Sequence, residues 1–83
     1  MRIRYFAWVR ERIGTDEETV TLPAGIVTVS DLLLWLRARG DGYEAALQAP
    51  EVLRVALDQE HADHSEPLTN VREVAIFPPM TGG

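Results

Sequence analysis

Thr28-Val29-Ser30-Asp31-Leu32-Leu33-Leu34-Trp35-Leu36-Arg37-Ala38-Arg39-Gly40 carries the main helical pattern of the chain. Val29, Leu32, Leu33 and Leu36 recur at the i, i+3, i+4, i+7 spacing that puts apolar groups on one helix face. Thr28 or Ser30 can cap the start with Asp31 in the first turn, and Arg37, Arg39 and Gly40 end it. Leu34 and Trp35 widen the apolar surface, and a tryptophan on such a face reads as core rather than as a ligand site.

Upstream of this helix, Arg2 to Val9 alternates as a strand, with Ile3, Tyr5, Ala7 and Val9 on one face and Arg2, Arg4, Phe6 and Trp8 on the other. Arg10 to Gly14 reads as a single helical turn stopped by glycine. Glu17 to Leu22 reads as a second strand closed by Pro23-Ala24-Gly25, so the start is expected to be a hairpin. Downstream, Asp41-Gly42 is expected to break the chain, and Tyr43 to Gln48 to form a short second helix that ends before Pro50. Leu53, Val55 and Leu57 alternate with Arg54, Ala56 and Asp58 as a third strand, and Gln59 to Ala62 suits a short fourth. After the turn-rich Pro67-Leu68-Thr69-Asn70, Val74 and Ile76 face one way and Ala75 and Phe77 the other in a final strand. One main helix can cover only one face of such a sheet, which makes an α+β layer of four to five strands with its other face open. Phe6, Trp8 and Phe77 fall on that open face and form a candidate docking patch.

Eighty-three residues, 46% of them hydrophobic, suit one domain over 1–83 close to the lower size limit for a stable core. No apolar run approaches the length of a membrane span, and no basic-plus-apolar leader is present. A cytoplasmic protein is expected. The absence of cysteine excludes a disulfide scaffold, a cysteine-ligated zinc site and a side-chain thiol nucleophile. Net charge is -5 and acidic groups are spread along the chain, which disfavours nucleic acid as a partner and favours a basic groove on another protein. All eight basic residues are arginine, so the chain offers no lysine amine to an activated acyl group.

Gly82-Gly83 close the sequence behind Ile76-Phe77-Pro78-Pro79-Met80-Thr81. Proline fixes φ and donates no ladder hydrogen bond, so Pro78-Pro79 should end the last strand and hold residues 78–83 as an extended tail. At roughly 3 Å per residue the tail reaches on the order of 18 Å, enough to enter a channel in a partner. Glycine lets a narrow channel close around bare backbone. The expected reactive or bound group is therefore the terminal carboxylate. A bare Gly-Gly end also suits a frayed terminus, and the apolar strand and proline pair before it favour the first reading.

Tyr5-Phe6-Ala7-Trp8-Val9-Arg10-Glu11, the Val29 to Leu36 helix, Val55-Ala56-Leu57-Asp58-Gln59, Pro67-Leu68-Thr69 and above all Val74-Ala75-Ile76-Phe77-Pro78-Pro79-Met80-Thr81-Gly82-Gly83 resemble the small, sulfur-carrying subunit family of molybdopterin synthase. The resemblance covers nearly the whole chain. It implies a ubiquitin-like β-grasp fold with a mixed sheet. It also implies a carrier whose Gly83 carboxylate is adenylated by an ATP-using, ubiquitin-activating-type adenylyltransferase and then converted to a thiocarboxylate. The tail would enter the large catalytic subunit, in a hetero-oligomer, and give its sulfur to cyclic pyranopterin monophosphate. By that resemblance Gly83 is the chemical residue, Gly82 permits entry, and Pro78, Pro79, Met80 and Thr81 line the approach. Phe6 and Phe77 match apolar docking positions, and Arg10 matches a basic position suited to a partner acid. No permanently bound cofactor is implied, ATP being used by the activating partner.

Three places depart from that pattern. His61 stands where an apolar residue often completes the docking patch, Trp8 where a polar one is frequent, and Asn70-Val71-Arg72 replaces an Asp-Gly-Asp turn. Asp58, Glu60, His61, Asp63 and His64 suggest a metal by composition, but a His pair at i, i+3 in a strand and turn does not converge, and no metal site is expected. Carriers for thiazole or another thiolation pathway, and a ubiquitin-like protein modifier, share the Gly-Gly end and stay open as alternatives.

Overall fold

The computed structural model describes residues 1–79. Strand β1 (Arg2–Tyr5) leads into helix α1 (Ala7–Ile13) and strand β2 (Glu17–Thr19), followed by helices α2 (Val29–Arg37) and α3 (Asp41–Ala46). A 3-10 turn (Pro50–Val52) precedes strands β3 (Arg54–Leu57), β4 (Glu60–Ala62) and β5 (Glu73–Phe77). The five strands form one mixed sheet in the order β2-β1-β5-β3-β4. The central pair β1 and β5 is parallel, with Ile3 beside Val74 and Tyr5 beside Ile76, and the other pairs are antiparallel. Among the described residues no helix is long and apolar enough to cross a membrane.

Side-chain alternation across this register sorts the strands into two faces. Ile3, Tyr5, Val55, Val74 and Ile76 are buried on one side, where α2 supplies Val29, Leu32, Leu33 and Leu36 and α1 supplies Val9. The main helix is built as its sequence requires. Thr28 is the N-cap, its hydroxyl accepting from the Asp31 amide at 3.2 Å while the Asp31 carboxylate accepts from the Thr28 amide at 3.1 Å. That reciprocal box satisfies two otherwise orphaned donors and fixes where the helix begins. Ser30 lies inside the helix. Leu34 does not join the core but remains 54% exposed, whereas Trp35 packs at the core edge under the Arg39 guanidinium, 5.1 Å from its ring.

Three expectations need correction. The first strand ends at Tyr5, and Ala7 to Val9 are helical. Trp8, Val9 and Ile13 form a helical stripe, and Val9 fits both a period of two from Tyr5 and a helix, so alternation alone misplaced the boundary. Gly14, at φ 96, caps this helix by donating its amide to Arg10 O at 2.8 Å, the left-handed C-cap that glycine accepts without a Cβ penalty. As a result β1 and β2 pair antiparallel but are joined through a helix rather than as a tight hairpin. Finally, Asp41-Gly42 does not break the chain but begins α3, because α1 and α3 pack so closely that a Cβ on Gly42 would lie 2.6 Å from the Arg12 carbonyl oxygen.

Candidate docking site

Phe6 and Phe77 are 71 positions apart, and the parallel pairing of β1 with β5 brings them together. Their rings meet edge-to-face at 6.4 Å on the side of the sheet away from the helices. Phe6 is fixed at both ends of its peptide: its amide donates to Ile76 O at 3.1 Å, and its carbonyl accepts from the Val9 and Arg10 amides. Ala7, the next residue, has φ 52, a left-handed conformation that costs an L-residue about 1–2 kcal/mol. The turn from strand to helix is thereby held at the corner where the Phe6 ring emerges.

His61, on β4, reaches the same pair across β3, its ring 5.7 Å from that of Phe77 and edge-on to it. Between them Ala56 and Ala75 stand opposite each other in register and leave room for the aromatics above. Arg4 lies with its guanidinium carbon 5.1 Å from the Phe6 centroid. Arg4, Phe6 and Phe77, together with Gln59, Glu73 and Ala75, line a shallow depression of about 390 Å³. Glu73, 9% exposed, accepts from Arg2 Nε at 3.2 Å and lies 3.9 Å from Arg4 Nη1. A second groove, of about 690 Å³, opens beside the root of the tail and is bordered by His61, Arg54, Val52 and Pro79. The strand ends at Phe77 and Pro78-Pro79 follow without ladder bonds, as residues lacking an amide hydrogen must.

The structure thus brings Phe6, Phe77, His61 and Pro79 to one end of one face. Trp8 leaves the group, because the strand has already turned into α1; it packs at the core edge with the Arg12 guanidinium 4.3 Å from its ring. Arg10 is exposed on α1. The expected site residues Met80, Thr81, Gly82 and Gly83 lie outside the described residues. Arg4 and Arg54 are part of the face and were not singled out as site residues, although strand parity with Phe6 and Phe77 was the available signal. Among the described residues no group of three or more His, Cys, Asp and Glu is placed to hold a metal ion. His64 Nε2 instead lies 2.9 Å from Leu53 O, and His61 turns toward the aromatic pair.

On the opposite side of the sheet, Glu18 pairs with Ile3 in register and points toward the helices. Its Oε2 accepts from the Tyr5 and Tyr43 hydroxyls, each at 2.7 Å, and its Oε1 from Arg39 Nη1 at 3.0 Å. Burial alone would raise this carboxyl, but the hydrogen bonds from Tyr5 and Tyr43 and the Arg39 charge outweigh it and hold the group below its ordinary value. Burial first, and then the bond to that carboxylate, push the Tyr5 phenol well up, so it remains a donor. This cluster clamps β2 to α3 and the end of α2. It is remote from the aromatic face and serves the fold.

The chain matches the ThiS family over residues 3–83. It is 39% identical over 83 residues to the molybdopterin synthase sulfur carrier subunit of Escherichia coli, covering 100% of this chain and 99% of that protein. Against the protein of the same name from Haemophilus influenzae the identity is 32% with the same coverage. Among solved structures, SAMP1 from Haloferax volcanii superposes with a TM-score of 0.72 at 28% identity, over 100% of this chain and 98% of that one. A Pyrococcus furiosus protein described as a putative molybdopterin converting factor, subunit 1, shares the fold with the same TM-score at 24% identity, over 95% of each chain. The architecture is the ubiquitin-like β-grasp, α+β, with a five-stranded mixed sheet.

Proposed function

The chain belongs to the ThiS family, and from that premise we propose that it is the sulfur-carrier subunit of a molybdopterin synthase. The observation that carries this reading is the full-length relation to curated sulfur carrier subunits, 39% identical to the Escherichia coli protein. The family match runs through residue 83. The docking face gives the reading a physical form: β5 presents Phe77 to the aromatic pair and leads directly into the tail, so a partner that covers the face also receives the peptide that follows.

In the proposed cycle the Gly83 carboxylate attacks the α-phosphorus of ATP on an activating adenylyltransferase, and pyrophosphate leaves. A carboxylate is a poor electrophile, and the mixed anhydride with AMP gives it a good leaving group. A sulfide-level nucleophile, HS⁻ supplied by the sulfur-delivering partner, then adds to the acyl carbon; the C–O bond to AMP breaks, a proton is lost and the thiocarboxylate remains. The tail enters the large synthase subunit and donates sulfur to cyclic pyranopterin monophosphate, with the groups that hold the pterin belonging to that subunit. Gly82 permits entry by letting a channel close on backbone, Pro78 to Thr81 line the approach, and the fixed φ of Pro78 and Pro79 ends the ladder before it. Arg10, exposed on α1, is available to a partner carboxylate.

Intact mass measurement tests the reading. Incubation with ATP, the activating enzyme and a sulfur source should replace one oxygen of Gly83 by sulfur. Adding the large subunit and pyranopterin should then return the mass to that of the carboxylate as the dithiolene forms. A second reading, a protein modifier, is favoured by the likeness to small archaeal modifier protein 1 of Haloferax volcanii, at 26% identity and a TM-score of 0.69. It expects higher-mass conjugates through Gly83 in cell lysate. A chain that gains no sulfur under these conditions removes the carrier reading.

A further inference from the structure

The groups that ring the aromatic pair end in nitrogen donors. Arg4 lies over Phe6, Arg54 stands opposite Phe77 in register, His61 meets Phe77 edge-on, and Gln59 adds an amide. The carboxylate in that depression, Glu73, is already held by Arg2, with Arg4 beside it. By register, the charged residues of the strands on this face are Arg2, Arg4 and Arg54 against Glu17 and Glu73, a net positive charge on a chain whose total is -5. The overall acidity suggested a basic partner groove, but the strand residues around the aromatic pair carry one more arginine than carboxylate, with Glu51, Asp63 and Glu66 lying in the groove beyond His61. Interfaces combine an apolar centre with a polar rim of complementary potential, so a rim of donors calls for acceptors.

We propose that the surface which covers this face is an apolar pocket rimmed by carboxylates, and that His61 sets how firmly it is held. The proposal rests on the carrier reading above, with the large synthase subunit as the partner. Neutral imidazole offers one donor, and its protonated form offers two together with a positive charge. His61 faces Arg54 and Ala56 from β3 and Phe77 from β5, and it shares its groove with Glu51, Asp63, His64 and Glu66. Among the described residues neither of its ring nitrogens has a hydrogen-bond partner, so the neutral ring can give one donor and the protonated ring two to incoming acceptors. Imidazole is the side-chain class that changes charge between about pH 5 and 8, and His61 is the imidazole of this face.

The test is the dissociation constant of the full chain with the large subunit, measured at about pH 8 and about pH 6 and over a range of salt. The complex should tighten on the order of three- to tenfold toward acid pH and weaken as salt rises. His61→Leu should abolish the pH slope, and His61→Arg should bind at the acid-limb affinity at both pH values. Wild-type affinity that is flat or weaker at acid pH, or a full slope retained in His61→Leu, overturns the proposal while leaving the carrier reading standing. A large subunit that binds the wild-type chain under none of these conditions overturns the carrier reading and this proposal with it.

Discussion

Glu18 shows how much one side chain can hold when the register turns it toward the helices. Its carboxylate collects two phenolic hydroxyls and a guanidinium from positions 13, 25 and 21 residues away, and Tyr5 is only 1% exposed. Removing the acceptor leaves the Tyr5 hydroxyl buried without a partner, at a cost of about 1–3 kcal/mol. Glu18→Ala is therefore expected to lose about 2–3 kcal/mol in denaturant unfolding at neutral pH. Glu18→Gln keeps an acceptor and loses the charge, so it should be milder. The pH dependence has a definite sign: the folded carboxyl is held below its ordinary value of 4.5, so its stabilisation is present above that pH and is lost as pH falls through the folded value. The gap between wild type and Glu18→Gln should thus narrow on acidification below about pH 4.5. A gap that stays constant through that window would show that the charge contributes nothing. None of these partners was legible in sequence, because the cluster depends on three long-range contacts that leave no local pattern.

At the scale of elements, legibility followed how far each segment's own periodicity decides its state. The helix over Val29–Arg37 was readable because its cap, apolar stripe and terminal arginines agree, and β5 because the proline pair stops it. Helix α1 was not, since Val9 satisfies two periods and the break at Ala7 depends on backbone bonds from Phe6 to both β5 and α1. Helix α3 was mistaken at its start for a breaker, because Asp41-Gly42 is a turn signal locally. The glycine is instead required by a contact with Arg12 from another helix. Gly42→Ala tests that contact. Alanine gains about 1 kcal/mol of helix propensity, but its Cβ would press on a backbone carbonyl in the last turn of α1, and overpacking of this kind costs typically about 1–3 kcal/mol. The clash should win, lowering the urea midpoint by the equivalent of up to about 2 kcal/mol with an unchanged slope. A raised midpoint would mean that α1 and α3 slide apart freely.

Across the whole molecule, one strand serves both the fold and the proposed chemistry. β5 lies beside β1 and β3 at the centre of the sheet, buries Val74 and Ile76 beneath the helices, shows Phe77 on the other face, and leads into Pro78-Pro79. The aromatic pair could be read from strand parity in the sequence, while its donor rim emerged only once β3 and β4 were placed beside β5. This arrangement separates the stability of the body from the reactivity of the tail, because among the described residues the buried core ends at Ile76. Adding one alanine after Gly83 should therefore leave the unfolding midpoint unchanged to within a few tenths of a kcal/mol, as for surface changes away from the core. Under the proposed carrier function sulfur transfer should nevertheless fail, because the acyl group to be activated would sit one residue beyond the position the partner would hold. Unfolding curves and intact mass, measured on the same lengthened chain, separate these effects. Full sulfur loading and pterin conversion by that chain, with the alanine still attached in the mass spectrum, would place the reactive carbonyl elsewhere and remove the tail from the mechanism.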